Sequence, residues 1–335
     1  SVQVHKEAYG WRVSSDHVFE KKLHAESQTE QAQSQDEELE INIGKTRLMA
    51  SGTLEAEYTS SESFSGTQSS DLKVATVELS LEALVNKWIK GITTFLYEED
   101  DTTPMAVDQA FIVINPDKFF GHVNIGQKYL PFGTFETHLV SDSLPLEIAE
   151  TSETVVEATG SWLGFDFSLY TFRGATNKTG ADKKVNNFGA NLHYKLGFIE
   201  KVHMELQASY IDDLSDSNAI TDQLGGAATS LVSEIPATAV TAKVNIHGLV
   251  ILAESIAANK AFAASELAWK GSGALLGTTH FELAYEFMFG EKTIQAAIAY
   301  QTTAEALAMG LPESKTLLGF SYEPWPDSTF SFEWN

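Results

Sequence analysis

From about residue 47 onward, stretches of roughly ten residues alternate apolar and polar side chains. Leu48, Ala50, Gly52, Leu54, Ala56 and Tyr58 form one apolar series, with Met49, Ser51, Thr53, Glu55 and Glu57 between them. Successive side chains of a strand point to opposite faces, so the two series are two faces of one strand. The pattern returns as Val77, Leu79, Leu81 and Ala83 against Thr76, Glu78, Ser80 and Glu82, and as Met204, Leu206, Ala208 and Tyr210 against His203, Glu205, Gln207 and Ser209. An oily outer face over a wet inner one marks a transmembrane β-barrel.

The expected fold is all-β, an antiparallel transmembrane β-barrel of about sixteen strands. Strands are predicted at 47–59, 72–83, 88–98, 105–114, 120–130, 153–162, 164–173, 185–196, 201–211, 236–247, 249–258, 278–288, 292–302, 314–323 and 328–335. Short connections (84–87, 115–119, 163, 197–200, 247–248, 289–291, 324–327) alternate with mostly longer ones (60–71, 99–104, 131–152, 174–184, 212–235, 259–277, 303–313). Outer-membrane barrels have short periplasmic turns and long extracellular loops, so odd-numbered strands are expected to run outward. Their outer ends carry Tyr58, Tyr97, Tyr129, Phe172, Tyr210 and Tyr300, and the periplasmic ends Trp88, Trp162, Phe198, Phe289 and Trp325, which reads as two aromatic girdles. The count is odd, and a closing strand is expected beyond Asn335.

Residues 1–40 read as a polar N-terminal periplasmic segment, helical or plug-like, because Glu26–Glu40 is a Gln/Glu-rich run without strand alternation; 41–335 read as the barrel. Ser1 follows no positively charged apolar leader, so a signal peptide is expected to have been removed or left out.

Charge and composition narrow the function. With 46 acidic against 22 basic residues the net charge is −24, which argues against nucleic acid as a partner. The chain has no cysteine, which suits passage through an oxidising periplasm. No nucleophile elbow, Walker loop or dinucleotide fingerprint is present, so the protein is expected not to be an enzyme and to need no cofactor and no metal.

Strand parity assigns pore-lining positions: Arg47, Glu55, Glu57, Glu78, Glu82, Lys90, Glu98, Asp108, His122, Lys128, Glu157, Asp166, Lys195, His203, Glu205, Lys243, Glu282 and Glu286, together with His193, Glu254, His280 and Glu323. Acids outnumber bases, and carboxylate-lined pores favour cationic or neutral solutes. Mutual neutralisation of Glu with Lys and Arg is the competing role. His203 with Glu205 and His280 with Glu282 share strand faces; a metal site would need further ligands that the sequence does not assure, so ordinary lumen lining is the expected role. The loop Pro131–Ser152 is too apolar for free solvation, at Leu139, Val140, Leu144, Leu146 and Ile148. Either it folds inward as a constriction, carrying Glu136, His138, Asp142 and Glu147, or it caps the barrel against neighbouring loops.

Two stretches resemble the LbtU family of siderophore porins: Asp71–Phe172, with VATVELSLEA (74–83), TFLYEEDDTTPMAVDQA (94–110) and GQKYLPFGTFETHLVSDSLPLEIAETSE (126–153), and TTAEALAMGLPESKTLLGFS (302–321). The resemblance implies a Gram-negative outer-membrane channel for transport of a small solute, in that family an iron chelate. The expected partners are membrane lipid, the solute, and a lumenal protein or further copies of the chain. The alternatives are a general diffusion porin and a scaffold barrel, for example a sheath around a cytochrome; the chain itself lacks the Cys-x-x-Cys-His of haem attachment.

Overall fold

A computed structural model describes residues 5–14, 39–43, 46–63, 66–99, 102–116, 120–182, 184–199, 202–226, 229–290 and 292–335. One seventeen-stranded antiparallel sheet dominates. It opens with β1 (His5–Ser14), β2 (Leu39–Ile43), β3 (Thr46–Ser63) and β4 (Gln68–Asn86), and continues through β5 (Ile89–Tyr97), β6 (Ala106–Ile114), β7 (Gly121–Tyr129), β8 (Ser152–Trp162) and β9 (Phe165–Phe172). After the two-residue β10 (Asn177–Lys178) come β11 (Asn187–Ile199) and β12 (Val202–Ile211). The two-residue β13 (Ser230–Leu231) precedes β14 (Ala237–Ile246) and β15 (Leu249–Ala258). The short pair β16 (Ala268–Trp269) and β17 (Ser272–Gly273) precedes β18 (Gly277–Phe289), β19 (Lys292–Ala304), β20 (Ser314–Trp325) and β21 (Ser328–Trp334). The long strands from β3 to β21 pair in succession, and they coincide with the fifteen segments predicted from alternation.

The register follows from the alternation. Glu55, Glu157, Glu254, His280 and Glu282 are buried on the inner face, whereas Leu54, Val156, Leu169, Leu206, Val240, Phe281 and Leu318 are exposed on the outer one. Two-residue turns close the hairpins β8–β9 and β14–β15. Leu163–Gly164 and His247–Gly248 have positive φ at both positions, the hairpin geometry that matches strand twist and makes glycine the natural second residue.

The closing strand differs from expectation. β1 pairs with β21 on one side (Tyr9 opposite Trp334, Trp11 opposite Phe332) and with the outer half of β3 on the other (Tyr9 opposite Ser60, Trp11 opposite Tyr58). β2 pairs with the inner half of β3, Leu39 opposite Ala50. The edge assigned to a strand beyond Asn335 is thus occupied by residues 5–14, because unpaired backbone groups within a bilayer must find partners and a closed sheet provides them. Residues 5–14 and 39–43 are therefore strands and not plug or helix; 15–38, with most of the Gln/Glu-rich run, lie outside the described residues.

The girdles also need one correction. Trp88, Trp162, Phe289 and Trp325 at the short-turn end, and Tyr58 and Tyr300 at the other, are exposed on the outer surface. Phe172 is instead fully buried inside the mouth. It has the parity of Ser168 and Tyr170, both inward. The side chain of Phe198 is outside the described residues.

Candidate functional site

The inner wall carries the polar half of each strand, and the segment after β7 is folded onto it. Pro131–Ser143 leaves the outer rim and runs inside the lumen as a strap, which then enters α1 (Leu144–Ala149). A strap without secondary structure brings unpaired backbone donors into the interior, and each needs an acceptor. Asn191 Nδ2 donates to the Pro131 carbonyl (3.0 Å), Gln207 Nε2 donates to that of Gly133 (2.9 Å), and the Gly133 N–H donates to Ser209 Oγ (3.1 Å).

Three wall carboxylates take the next donors. Glu254 on β15 accepts from the N–H groups of Thr134 (2.6 Å) and Phe135 (3.0 Å). Glu282 on β18 accepts from the His138 N–H (3.0 Å), Thr137 Oγ1 (2.7 Å) and His138 Nδ1 (2.5 Å). Glu333 on β21 accepts from the N–H groups of Val140 (2.8 Å) and Ser141 (3.0 Å) and from Ser141 Oγ (2.5 Å). Gln301 Oε1 then accepts from the Leu144 N–H (2.8 Å). Each carboxylate is at most 3% exposed, so these are charge-assisted bonds shielded from water, worth about 1.5–3 kcal/mol each.

Small residues let the strap lie close. Leu139 packs on Val250, Ala284 and Ala297. A Cβ added to Gly319 would sit 2.5 Å from Leu139 Cδ2. Beyond Ser143, whose Oγ caps α1 by accepting from the Leu146 N–H (3.4 Å), the loop changes role. Ile148 and Ala149 join Phe132, Tyr170, Phe172, Ile211 and Ile220 in an apolar cluster at the mouth. The loop is therefore both alternatives at once, an inward strap over 131–143 and a packed cap over 144–149. Ile220 belongs to α2 (Asn218–Gln223), whose first N–H donates to the Glu150 carbonyl (2.9 Å). Burial, with Asp142 and Asp108 nearby, pushes the Glu150 carboxyl up to about 7. Asp213, which accepts from the N–H groups of Ser215 (3.1 Å) and Ile235 (3.0 Å), is pushed up to about 6 by burial and the neighbouring Asp216.

Charges beneath the strap divide into two walls. From β4 to β14 each lysine on the wall meets a carboxylate: Lys90 with Glu82 (3.0 Å), Lys128 with Glu157 (2.5 Å), Lys195 with Asp166 (3.1 Å) and Lys243 with Glu136 of the strap (2.5 Å). His193 lies 3.0 Å from Glu205, and Lys73 lies 4.0 Å from Glu57 of β3. His122, His193, Lys195, Glu157 and Asp166 line a recess of about 770 Å³ on this side. The opposite recess, about 370 Å³, is lined by Glu55, Asp142, Glu286 and Glu323 with His138 and a ring of Thr, Ser and Gln, and, among the residues whose side chains are described, by no lysine or arginine.

The remaining candidates are placed as follows. Glu78 accepts from Ser80 Oγ (3.2 Å), Glu98 from Thr102 Oγ1 (3.1 Å) and Asp108 from Tyr129 Oη (2.7 Å). Arg47 and His203 are exposed near the short-turn end, and Glu147 is exposed on α1. Glu333, Gln301 and Ser141 were missed by the reading of the sequence. Their inward parity was the available signal, but nothing in a single strand marks a carboxylate as the seat of a distant loop.

No family model matches the chain. It is 25% identical over 296 residues to a UPF0422 protein of Coxiella burnetii, covering 86% of this chain and 63% of the relative. It is 24% identical over 315 residues to the UPF0422 protein lpl2888 of Legionella pneumophila, covering 86% and 58%. The chain thus spans about three-fifths of the length of the curated relatives it matches. Among solved structures it is similar to the outer-membrane channel DcaP of Acinetobacter baumannii, with TM-score 0.51, 9% identity, and 98% of this chain and 95% of that one covered. It is likewise similar to OprB of Pseudomonas putida, with TM-score 0.50, 10% identity, and 99% and 92% covered. The fold is that of the outer-membrane porin barrels.

Proposed function

We propose that the protein is an outer-membrane channel through which small cationic or neutral solutes pass, with the strap 131–143 as its constriction. The observation that carries this reading is the strap itself, tied to Glu254, Glu282 and Glu333, with a carboxylate-lined recess left open beside it. A wall field of one sign, focused by low-dielectric walls, concentrates counter-charged solutes in the passage. No covalent chemistry is required. Ser209 Oγ accepts the Gly133 N–H, and His203, on the same strand, lies at its far end.

An iron chelate is the finer reading of the solute. It rests on the resemblance of residues 126–153 to the siderophore porins, and that stretch is the one that builds the strap and α1. The scaffold alternative is less well supported, because the chain's own strap already occupies lumen space that a protein partner would need. Purified protein in proteoliposomes is expected to admit small cationic and neutral solutes and to slow anionic solutes of equal size. Deletion of the gene is expected to impair iron-chelate uptake and leave small sugars unaffected. Equal loss of both would make the protein a general diffusion porin, and an impermeable proteoliposome would remove the channel reading.

A further inference from the structure

We infer that the recess of about 770 Å³ on the paired wall is a binding site for a short, neutral, polyhydroxylated solute, the chemistry of a small oligosaccharide. Four strands build its floor at one level. His122 on β7 stands opposite Thr159 on β8, Thr159 opposite Ser168 on β9, and Ser168 opposite Asn191 on β11. All four line the recess, together with Gln207 of β12 and Pro131 of the strap. Its volume falls in the range of about 300–1,000 Å³ in which pockets enclose an organic ligand.

The lining carries hydrogen-bonding capacity that the fold itself does not use. Ser168 is 6% exposed, and its Oγ has no partner. A hydroxyl sealed in this way is costly unless a further group reaches it. The His122 ring makes no hydrogen bond among the described residues. Asn191 Nδ2 and Gln207 Nε2 each give a hydrogen to a strap carbonyl, and their amide oxygens accept none among the described residues. Thr159 Oγ1 donates to the His122 carbonyl (3.3 Å) and keeps its lone pairs. The unused groups are therefore mostly acceptors, with the Ser168 hydroxyl and one imidazole nitrogen able to donate. A solute that matches them carries several donors and some acceptors, and hydroxyl groups supply both.

The charges around the floor are matched, which sets this recess apart from the one lined by Glu286 and Glu323. Lys128 pairs with Glu157 and Lys195 with Asp166, while Glu205, 3.0 Å from His193, stands in register between Lys195 and Lys243. Lys243 also reaches Glu136 of the strap, and Lys90 reaches Glu82. An ionic solute would compete with those partners, whereas a neutral one leaves them in place. A single small sugar touches part of the floor, and a short chain of rings engages all of it. The site stands without the channel reading above; its use in permeation rests on that reading.

The test is isothermal titration of the full chain, folded in detergent, with a linear trisaccharide and with a methyl-capped polyether of equal mass, which accepts hydrogen bonds and donates none. The trisaccharide is expected to bind and the polyether not to. Ser168→Ala and His122→Phe are each expected to weaken binding about three- to tenfold, the effect of one lost hydrogen bond, while keeping the heat-modifiable barrel band. A wild type that binds no trisaccharide, or binds the polyether equally, overturns the proposal, and so do folded variants with unchanged affinity. Should the variants not fold, the comparison of trisaccharide with polyether alone decides. Single-channel current, recorded in parallel, separates the two readings. Binding by a chain that passes no ions keeps the site and removes the channel, whereas a conducting chain that binds no trisaccharide does the reverse.

Discussion

The two walls beneath the strap use the same residue types to opposite effect. From β4 to β14 the lysines of the wall are matched to carboxylates on neighbouring strands or, for Lys243, on the strap. From β18 round to β3, Glu286, Glu323 and Glu55 line a recess that, among the residues whose side chains are described, contains no lysine or arginine. The charges of the first wall mostly hold one another in place, whereas on the second wall Glu286 and Glu323 face the recess. Formal net charge therefore says little about a pore; what counts is which carboxylates keep their field after pairing.

The strongest way to break this contrast is to invert the open wall. Replacing Glu286 and Glu323 together by lysine is expected to shift the K⁺/Cl⁻ permeability ratio towards chloride by about tenfold, measured as the reversal potential across a planar bilayer. A second change moves the strap against that wall. In Gly319→Val the new side chain meets Leu139, and overpacking of this kind costs about 1–3 kcal/mol. The expected readout is a lower thermal midpoint with noisier single-channel current.

The paired wall should respond less. Lys195→Ala removes the partner of Asp166, a half-exposed pair 3.1 Å apart. Its loss is expected to raise cation preference by no more than about twofold, since such pairs are screened and weak. The smallest effect is predicted at the cap. The Glu150 carboxyl is raised to about 7 by burial first, then by Asp142 and Asp108. Because the folded protein favours its protonated form, Glu150 costs progressively more stability as pH rises from the ordinary carboxylate range through about 7. Glu150→Gln should therefore slow exchange of the α1 and α2 amides at alkaline pH and leave it unchanged at acidic pH.

These contrasts were unevenly legible in the sequence. The fifteen consecutive strands were readable because a period of two repeats along each and the connections alternate in length. Residues 5–14 were not read as a strand, since one short segment separated from the meander gains its meaning only from the two edges it joins, β21 and β3. Phe172 was placed on the lipid face because it is aromatic and terminal, although the parity of Ser168 and Tyr170 points it inward. The apolar content of 139–148 signalled that the loop is not free, and parity listed Glu254 and Glu282 among lumen carboxylates. That these two and Glu333 accept strap N–H groups while Glu286 and Glu323 line the open recess depends on where the strap crosses each strand. No single-strand pattern encodes that crossing.

The central claim is that the acidic recess beside a wall-tied strap sets the charge preference of a channel. Its most direct measurement is the reversal potential of single channels of the full chain in a KCl gradient at neutral pH. The account predicts conductance with cation preference, diminished when Glu286 and Glu323 are neutralised to glutamine; anion preference, or a preference indifferent to those two substitutions, would contradict it.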